Sequence, residues 1–189
     1  MKPALACLLA LALLVATPAA LGVRAGEVDP AHTEFGFTLK TRWGQVLRGR
    51  FPEFRGAIEP LADGRRRTRV ALLTRTVEIV GHPSYTGFTR GEGFFDARRH
   101  PEVTFVSEPY DDTLVREGGK LVGRLRIRGI EREESFVLAP TRCERPALDC
   151  DVVATGVVRR SDYGLDKWSF AVSDQVRFTL RLRVKETSP

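Results

Sequence analysis

Three histidines, three cysteines and one methionine among 189 residues leave this chain poor in side chains that bind metals or attack carbonyl carbons. His32, His82 and His100 are scattered, and no two stand at the four-residue spacing that sets a metal pair on one helix face. His82 and His100 each precede a proline, which favours an extended or turn role. No serine lies in a Gly-x-Ser-x-Gly elbow, and there is no glycine-rich phosphate loop. Carboxylates are plentiful, but Glu53, Asp96, Asp162 and Asp174 fall beside turns, where acids commonly bond backbone N–H groups. Nothing singles out a glycosidase-like pair among them. The sequence therefore assigns no catalytic residue, no metal ligand and no cofactor. Repeats and low-complexity segments are also absent, and past residue 25 no apolar run nears the ~20 residues that span a bilayer.

What is present is alternation. Val176-Arg177-Phe178-Thr179-Leu180-Arg181-Leu182-Arg183-Val184 switches between apolar and polar without a break, as does Leu121 to Arg128. A strand points successive side chains to opposite faces, so each segment has one face to bury and one for water. Arg177, Arg181 and Arg183 are expected on the wet side.

The first 25 residues are expected to be a secretory signal peptide. Met1-Lys2 precedes an apolar run from Ala4 to Val15, then small residues and a Val23-Arg24-Ala25 cleavage site. The run is too short for a membrane anchor. Leu5-Ala6-Cys7 has something of a lipidation site but lies too close to Met1. Residues 26–189 would then form one domain, exported to the periplasm. Losing Lys2 and Arg24, with no acid before residue 26, lowers the formal charge from +6 to +4. Cys7 leaves with the signal. Cys143 and Cys150 remain, bracketing a turn-prone stretch, and an oxidising compartment would join them in a disulfide.

Most of the rest reads as strand: Phe35 to Leu39, Phe54 to Ile58, one long stretch from Arg67 to Ile79, Val103 to Ser107, Leu114 to Arg116, Leu121 to Arg128, Phe136 to Leu138, Asp151 to Arg159 and Gln175 to Val184. Turn signals separate them at Ala62-Asp63-Gly64, Glu117-Gly118-Gly119 and Asp162-Tyr163-Gly164. Only Gly81 to Arg90 has room for helix. The fold class is all-β and antiparallel, a sandwich or a barrel. Periodicity does not choose between them, although a barrel of about eight strands could hold one small ligand. Arg65-Arg66-Arg67 with Arg69 and the alternating strand arginines read as a solvated, aggregation-blocking surface rather than a nucleic-acid site, which would want interleaved exposed aromatics; an intermediate reading sets some arginines near a cavity mouth, to meet an anionic lipid head group.

Several segments in series resemble the YceI-like family. They are Asp29-Pro30-Ala31-His32-Thr33 into Phe35-Gly36-Phe37, Gly49 to Ile58, Phe94-Phe95-Asp96-Ala97-Arg98-Arg99-His100-Pro101-Glu102-Val103-Thr104-Phe105-Val106-Ser107, Gly123 to Ile130, and Arg160-Ser161-Asp162-Tyr163-Gly164-Leu165. They keep the family's order and cover nearly all of residues 26–189. The resemblance implies a lipocalin-like antiparallel barrel of about eight strands with one short helical segment. It also implies a periplasmic protein that holds a polyisoprenoid or similar long amphipathic lipid and has no established enzymatic activity. The sequence departs from the family at Glu131-Arg132-Glu133-Glu134-Ser135, at Val80 to Tyr85, and in the Cys143/Cys150 loop.

Such a ligand offers hydrocarbon and few hydrogen-bonding groups, so its site needs apolar walls, each buried CH₂ contributing roughly 0.8 kcal/mol. The inward strand faces supply Phe35, Phe37, Leu121, Leu125, Ile127, Phe178, Leu180 and Leu182 as candidate ligand-binding residues. Trp43, Phe51, Phe88, Phe94, Phe95, Trp168 and Phe170, near strand ends or turns, are candidates for the mouth. The competing reading is that these residues are simply core. Two other functions stay open: an enzyme using carboxylates or His32, and a filled stress-related structural module. The expected partner is the lipid, not nucleic acid, with no integral membrane span after signal cleavage. Oligomeric state, a homodimer included, is left open.

Overall fold

The structure is a computed structural model that describes residues 26–186, so the expected signal peptide lies outside the described residues. In chain order the strands are β1 (Gly26–Glu27), β2 (Glu34–Thr41), β3 (Val46–Arg50), β4 (Phe54–Pro60), β5 (Arg66–Leu73), β6 (Glu78–Ile79), β7 (Glu102–Ser107), β8 (Gly119–Ile127), β9 (Ile130–Leu138), β10 (Val152–Arg159) and β11 (Val172–Leu182). Helix α1 (Pro83–Arg90) follows β6, and α2 (Asp112–Glu117) precedes β8.

All pairings between these strands are antiparallel, and the order is β1-β4-β5-β7-β8-β9-β10-β11-β2-β3-β6. The two ends of that order overlap. β1 and β2 follow one another along the same edge of β11: Glu34 pairs Arg181, while Val28 bridges Val184 and Asp29 N–H donates to the Arg183 carbonyl at 2.8 Å. On their far side β1 pairs β4 and β2 pairs β3; beyond these β4 pairs β5 and β3 pairs β6. The eleven segments thus occupy about eight positions round a closed ring, the number that leaves room for one small ligand.

Three of those positions are broken strands, and the breaks lie side by side. Pro52 interrupts β3/β4, since it has no N–H for the ladder. A 3₁₀ turn over Thr74–Thr76 interrupts β5/β6. The Thr76 hydroxyl accepts from Glu53 N–H at 3.3 Å, and Leu73 N–H donates to the Glu53 carbonyl at 3.0 Å. The expected single strand from Arg67 to Ile79 is therefore two strands. The expected strand at Leu114–Arg116 is wrong: these residues lie in α2. Three residues are too few to show a period, whereas Asp111 and Asp112 at the start and Gly118 at φ 80° after the end are helix boundary features. Among the described residues the barrel carries two α-helices rather than one helical segment.

Inward parity holds along β11. Val176 and Phe178 are buried, Leu180 and Leu182 half-buried, Arg177 and Arg181 exposed. Arg183 departs from the expected exterior: it is half-buried, with Nε donating to Asp151 Oδ1 at 2.6 Å and Nη1 to the Leu148 carbonyl at 3.3 Å.

Glycine thins the wall at three places. A Cβ at Gly49 would lie 2.1 Å from Phe37 Cζ, at Gly156 2.6 Å from Phe136 Cδ1, and at Gly123 2.6 Å from Phe105 Cζ. Each ring lies over bare backbone of another strand, so small and large residues alternate across the interior.

Candidate functional site

Among the described residues the barrel interior holds two chambers, of about 290 and 300 Å³. Each is roughly twice the ~150 Å³ engineered cavity that holds benzene.

The first chamber is almost wholly apolar. Its walls are Phe37 and Leu39 of β2, Leu47 of β3, Ile127 of β8, Val158 of β10, and Val172, Val176 and Phe178 of β11. Phe94 and Phe95 close one side. Its mouth is framed by Trp43 from the β2–β3 turn, Tyr85 and Phe88 from α1, and Trp168 from the β10–β11 loop. These aromatics face water as well as the chamber. Trp43 is 79 % exposed and Phe88 58 %. The Phe88 and Trp168 rings lie 6.0 Å apart, and Phe170, 71 % exposed, stands 5.7 Å from Trp168. Arg42 fastens the two loops by donating from Nε to the Ser169 carbonyl at 3.2 Å.

Among the described residues, one charged side chain lines this chamber. Arg160 follows β10 and is only 4 % exposed. Its Nε donates to the Ser173 carbonyl at 3.0 Å and its Nη1 to the Lys167 carbonyl at 3.3 Å, and its Cζ lies 5.5 Å from the centre of the Phe94 ring. Burial holds its guanidinium below its ordinary value. Beside it, fully buried Tyr163 donates to Glu134 Oε1 at 2.9 Å, and burial pushes that carboxyl above the usual range.

The second chamber is lined by Phe35, Phe105, Leu121, Phe136, Leu180 and Leu182. Its polar wall is Tyr110, whose hydroxyl lies 2.7 Å from Thr68 Oγ1 and whose phenol burial pushes up. α2 covers it with Val115 and Arg116, and an Arg66–Asp112 ion pair stands at the edge. Residues 144–148, inside the Cys143/Cys150 loop, complete the cover. The two cysteine Cα atoms are 6.1 Å apart, with the sulfurs at bonding distance.

The boundary between chambers is aromatic. Phe105, Phe136, Phe178, Phe37, Phe51 and Phe95 form a chain of neighbouring rings with centroid spacings from 5.1 to 6.4 Å. Along β2 the chambers change between Phe35 and Phe37, and along β11 between Phe178 and Leu180.

Twelve of the fifteen sequence-derived candidates line one chamber or the other. Phe37, Trp43, Phe88, Phe94, Phe95, Ile127, Trp168 and Phe178 face the first; Phe35, Leu121, Leu180 and Leu182 face the second. Three line neither. Phe51 is 2 % exposed and wedged between Phe37 and Phe95. Leu125 is buried between Leu121 and Ile127 on the same strand face, level with the partition. Phe170 stands outside the mouth. Sequence reasoning missed Arg160, though Ala154, Gly156 and Val158 share its parity on β10 and pointed it inward. His32, considered for catalysis, is an exposed side chain bonded to Asp29 at 2.6 Å, away from both chambers.

A family model described as the YceI-like domain matches residues 27–184. Among curated proteins, a UPF0312 protein of Staphylococcus aureus is 24 % identical over 143 residues, covering 73 % of this chain and 80 % of that protein. Among solved structures, Burkholderia cenocepacia BcnA superposes with a TM-score of 0.68 at 18 % identity, covering 82 % of this chain and 98 % of that one. A polyisoprenoid-binding domain from Saccharophagus degradans superposes with a TM-score of 0.62 at 13 % identity, covering 86 % of this chain and all of that one. At these identities the structural likeness is one of fold.

Proposed function

The chain belongs to the YceI-like family, and from that premise we propose that it is a binding protein for a polyisoprenoid or similar long-chain amphipathic lipid, not an enzyme. The observation that carries this reading is the first chamber: an apolar space inside a closed barrel, with exposed aromatics framing its mouth. Hydrocarbon gains by leaving water for such walls without needing hydrogen bonds from them. Pockets of about this size with few polar groups are the usual small-molecule sites. The polyisoprenoid-binding character of the Saccharophagus neighbour supports the same ligand class.

In this reading residues 1–25 direct export and are removed, and the barrel works in the periplasm. There Cys143 and Cys150 form a disulfide that staples the cover of the second chamber. No helix among the described residues is long and apolar enough to cross a membrane.

The test is extraction. The protein is purified from its native envelope without detergent, extracted with organic solvent and the extract analysed by mass spectrometry. A prenyl or other long-chain lipid at near-stoichiometric amount is expected. A clean extract, together with no uptake of prenols in vitro, would overturn the reading.

A further inference from the structure

We propose that the first chamber selects lipids carrying an anionic head group, a carboxylate or a phosphate, and that the Arg160 guanidinium is the group that receives it. This deepens the lipid-binding reading and rests on it.

Arg160 is a buried cation without a direct ion pair: Asp174 and Asp166 act on it only through space. Among the described residues no carboxylate comes within 4.0 Å of it, although elsewhere on the barrel arginines are paired with Asp or Glu many times over. A buried charge is costly unless paired. Two of its nitrogens, Nε and Nη1, are committed to the Ser173 and Lys167 carbonyls. Those carbonyls fix the plane of the guanidinium but carry no net charge to offset it. Nη2 has no partner among the described residues, and no buried polar side-chain atom of those residues is both sealed and unpartnered. Nη2 therefore still meets open space, and Arg160 lines the chamber. The fork thus keeps donors not committed to protein.

The surroundings suit an anion whose tail is hydrocarbon. Every other lining residue of the chamber is uncharged. With few competing dipoles and little water, a charge-assisted hydrogen bond from a planar fork is stronger than at the surface and matches carboxylate or phosphate oxygens. The Phe94 face flanks the guanidinium and limits its rotation. The same guanidinium holds the loop that carries Trp168 at the mouth, so head-group capture and mouth geometry share one residue.

The competing role is purely structural: Arg160 merely pins the loop between Lys167 and Ser173. The experiment separates the two. Farnesyl phosphate, farnesol and inorganic phosphate are titrated separately into the full-length mature protein, read by the fluorescence of Trp43 and Trp168, both of which line the chamber. Wild-type protein is expected to bind farnesyl phosphate at least tenfold more tightly than farnesol, and inorganic phosphate far more weakly than either. In Arg160→Gln the two farnesyl compounds should bind within about twofold of each other, at the wild-type farnesol affinity. Equal wild-type affinity for phosphate and alcohol would overturn the head-group proposal and leave the lipid reading standing. So would Arg160→Gln losing both ligands alike, which is the structural outcome. Inorganic phosphate binding as tightly as farnesyl phosphate would show a free-anion site and overturn it too. Failure of both farnesyl compounds to bind wild type would overturn the lipid reading and the proposal together. Should Arg160→Gln not fold, the wild-type comparison decides by itself.

Discussion

The Phe136 and Phe178 rings meet nearly at right angles, 80° between planes and 6.4 Å between centroids, and this contact separates the two chambers. Phe136 faces the second chamber and Phe178 the first. A lipid longer than one chamber has to part them.

Phe178→Ala is expected to join the chambers. It should cost about 3–5 kcal/mol of folding stability, read by urea denaturation, because a large buried ring is lost without refilling. In competition binding, the variant should shift its preference from farnesol toward prenols several times longer. An unchanged chain-length preference in the folded variant would show that the rings are no barrier.

Two glycine substitutions should act in opposite directions. At Gly123 a Cβ would lie 2.5 Å from the Val106 carbonyl oxygen as well as against Phe105. Backbone cannot yield cheaply, so Gly123→Ala should destabilise by about 1–3 kcal/mol. At Gly87, inside α1, a Cβ would meet nothing within 4 Å. Gly87→Ala should stabilise by about 0.5–1 kcal/mol through helix propensity. Thermal or urea midpoints of the two variants check the sign of each.

Glu134 makes a pH dependence of definite sign. Burial raises its carboxyl in the folded protein, outweighing the Tyr163 hydrogen bond that favours the anion. The folded state thus holds the proton more tightly than the unfolded chain, whose value is about 4.3. Its contribution to stability is complete below that pH and is lost as pH rises through the raised folded value. Glu134→Gln keeps a partner for the Tyr163 hydroxyl without the charge. Its melting temperature relative to wild type should therefore climb as pH rises from about 4 through the raised folded value and then level off. A flat difference across that range would refute the assignment.

Phe170 tests the mouth. The segments around it, residues 40–46, 83–90 and 165–171, carry Lys40, Arg42, Arg90 and Lys167 against the single acid Asp166. Exposed aromatics among cations are the composition that settles at a lipid–water interface. Phe170→Ser removes an exposed ring that lines neither chamber. Uptake of lipid from anionic vesicles should slow on the order of tenfold, while equilibrium affinity for dispersed lipid stays the same. Equal uptake rates in a stopped-flow transfer assay would argue against this role.

The sequence made the fold legible where one face meets water and the other does not. β2, β8 and β11 alternate cleanly because their outer faces are solvated. β3 left little trace, since its inward residues are Leu47 and Gly49, and glycine adds nothing to an apolar pattern. The first half of β9 was equally faint: Ile130 to Glu133 are exposed, and no apolar residue marks an inward side until Phe136. The closed ring was implied by the family resemblance but not readable from periodicity, because it depends on which strand edges meet after Pro52 and Thr74–Thr76 break the ladder. Of the site, the apolar lining was legible in part: Phe51, Leu125 and Phe170 line neither chamber, while Leu47, Phe105, Phe136 and Val158 line one without having been singled out. Its division in two was not legible, because periodicity tells inside from outside but says nothing of depth along the barrel. Arg160 could have been found by extending the parity of β10 by one step.

The three glycine–phenylalanine pairs carry a consequence for how such a barrel can change. In each, the space taken by one ring is the space given up by a backbone elsewhere in the ring of strands. Exchanging bulk within a pair, a larger residue for Gly49 with a smaller one for Phe37, conserves volume in a way that neither substitution does alone. Paired exchange would relocate empty space within the lumen while leaving the outer surface untouched. Cavity shape in this architecture is therefore a property of couples of positions, and substitutions there should be accepted two at a time or not at all.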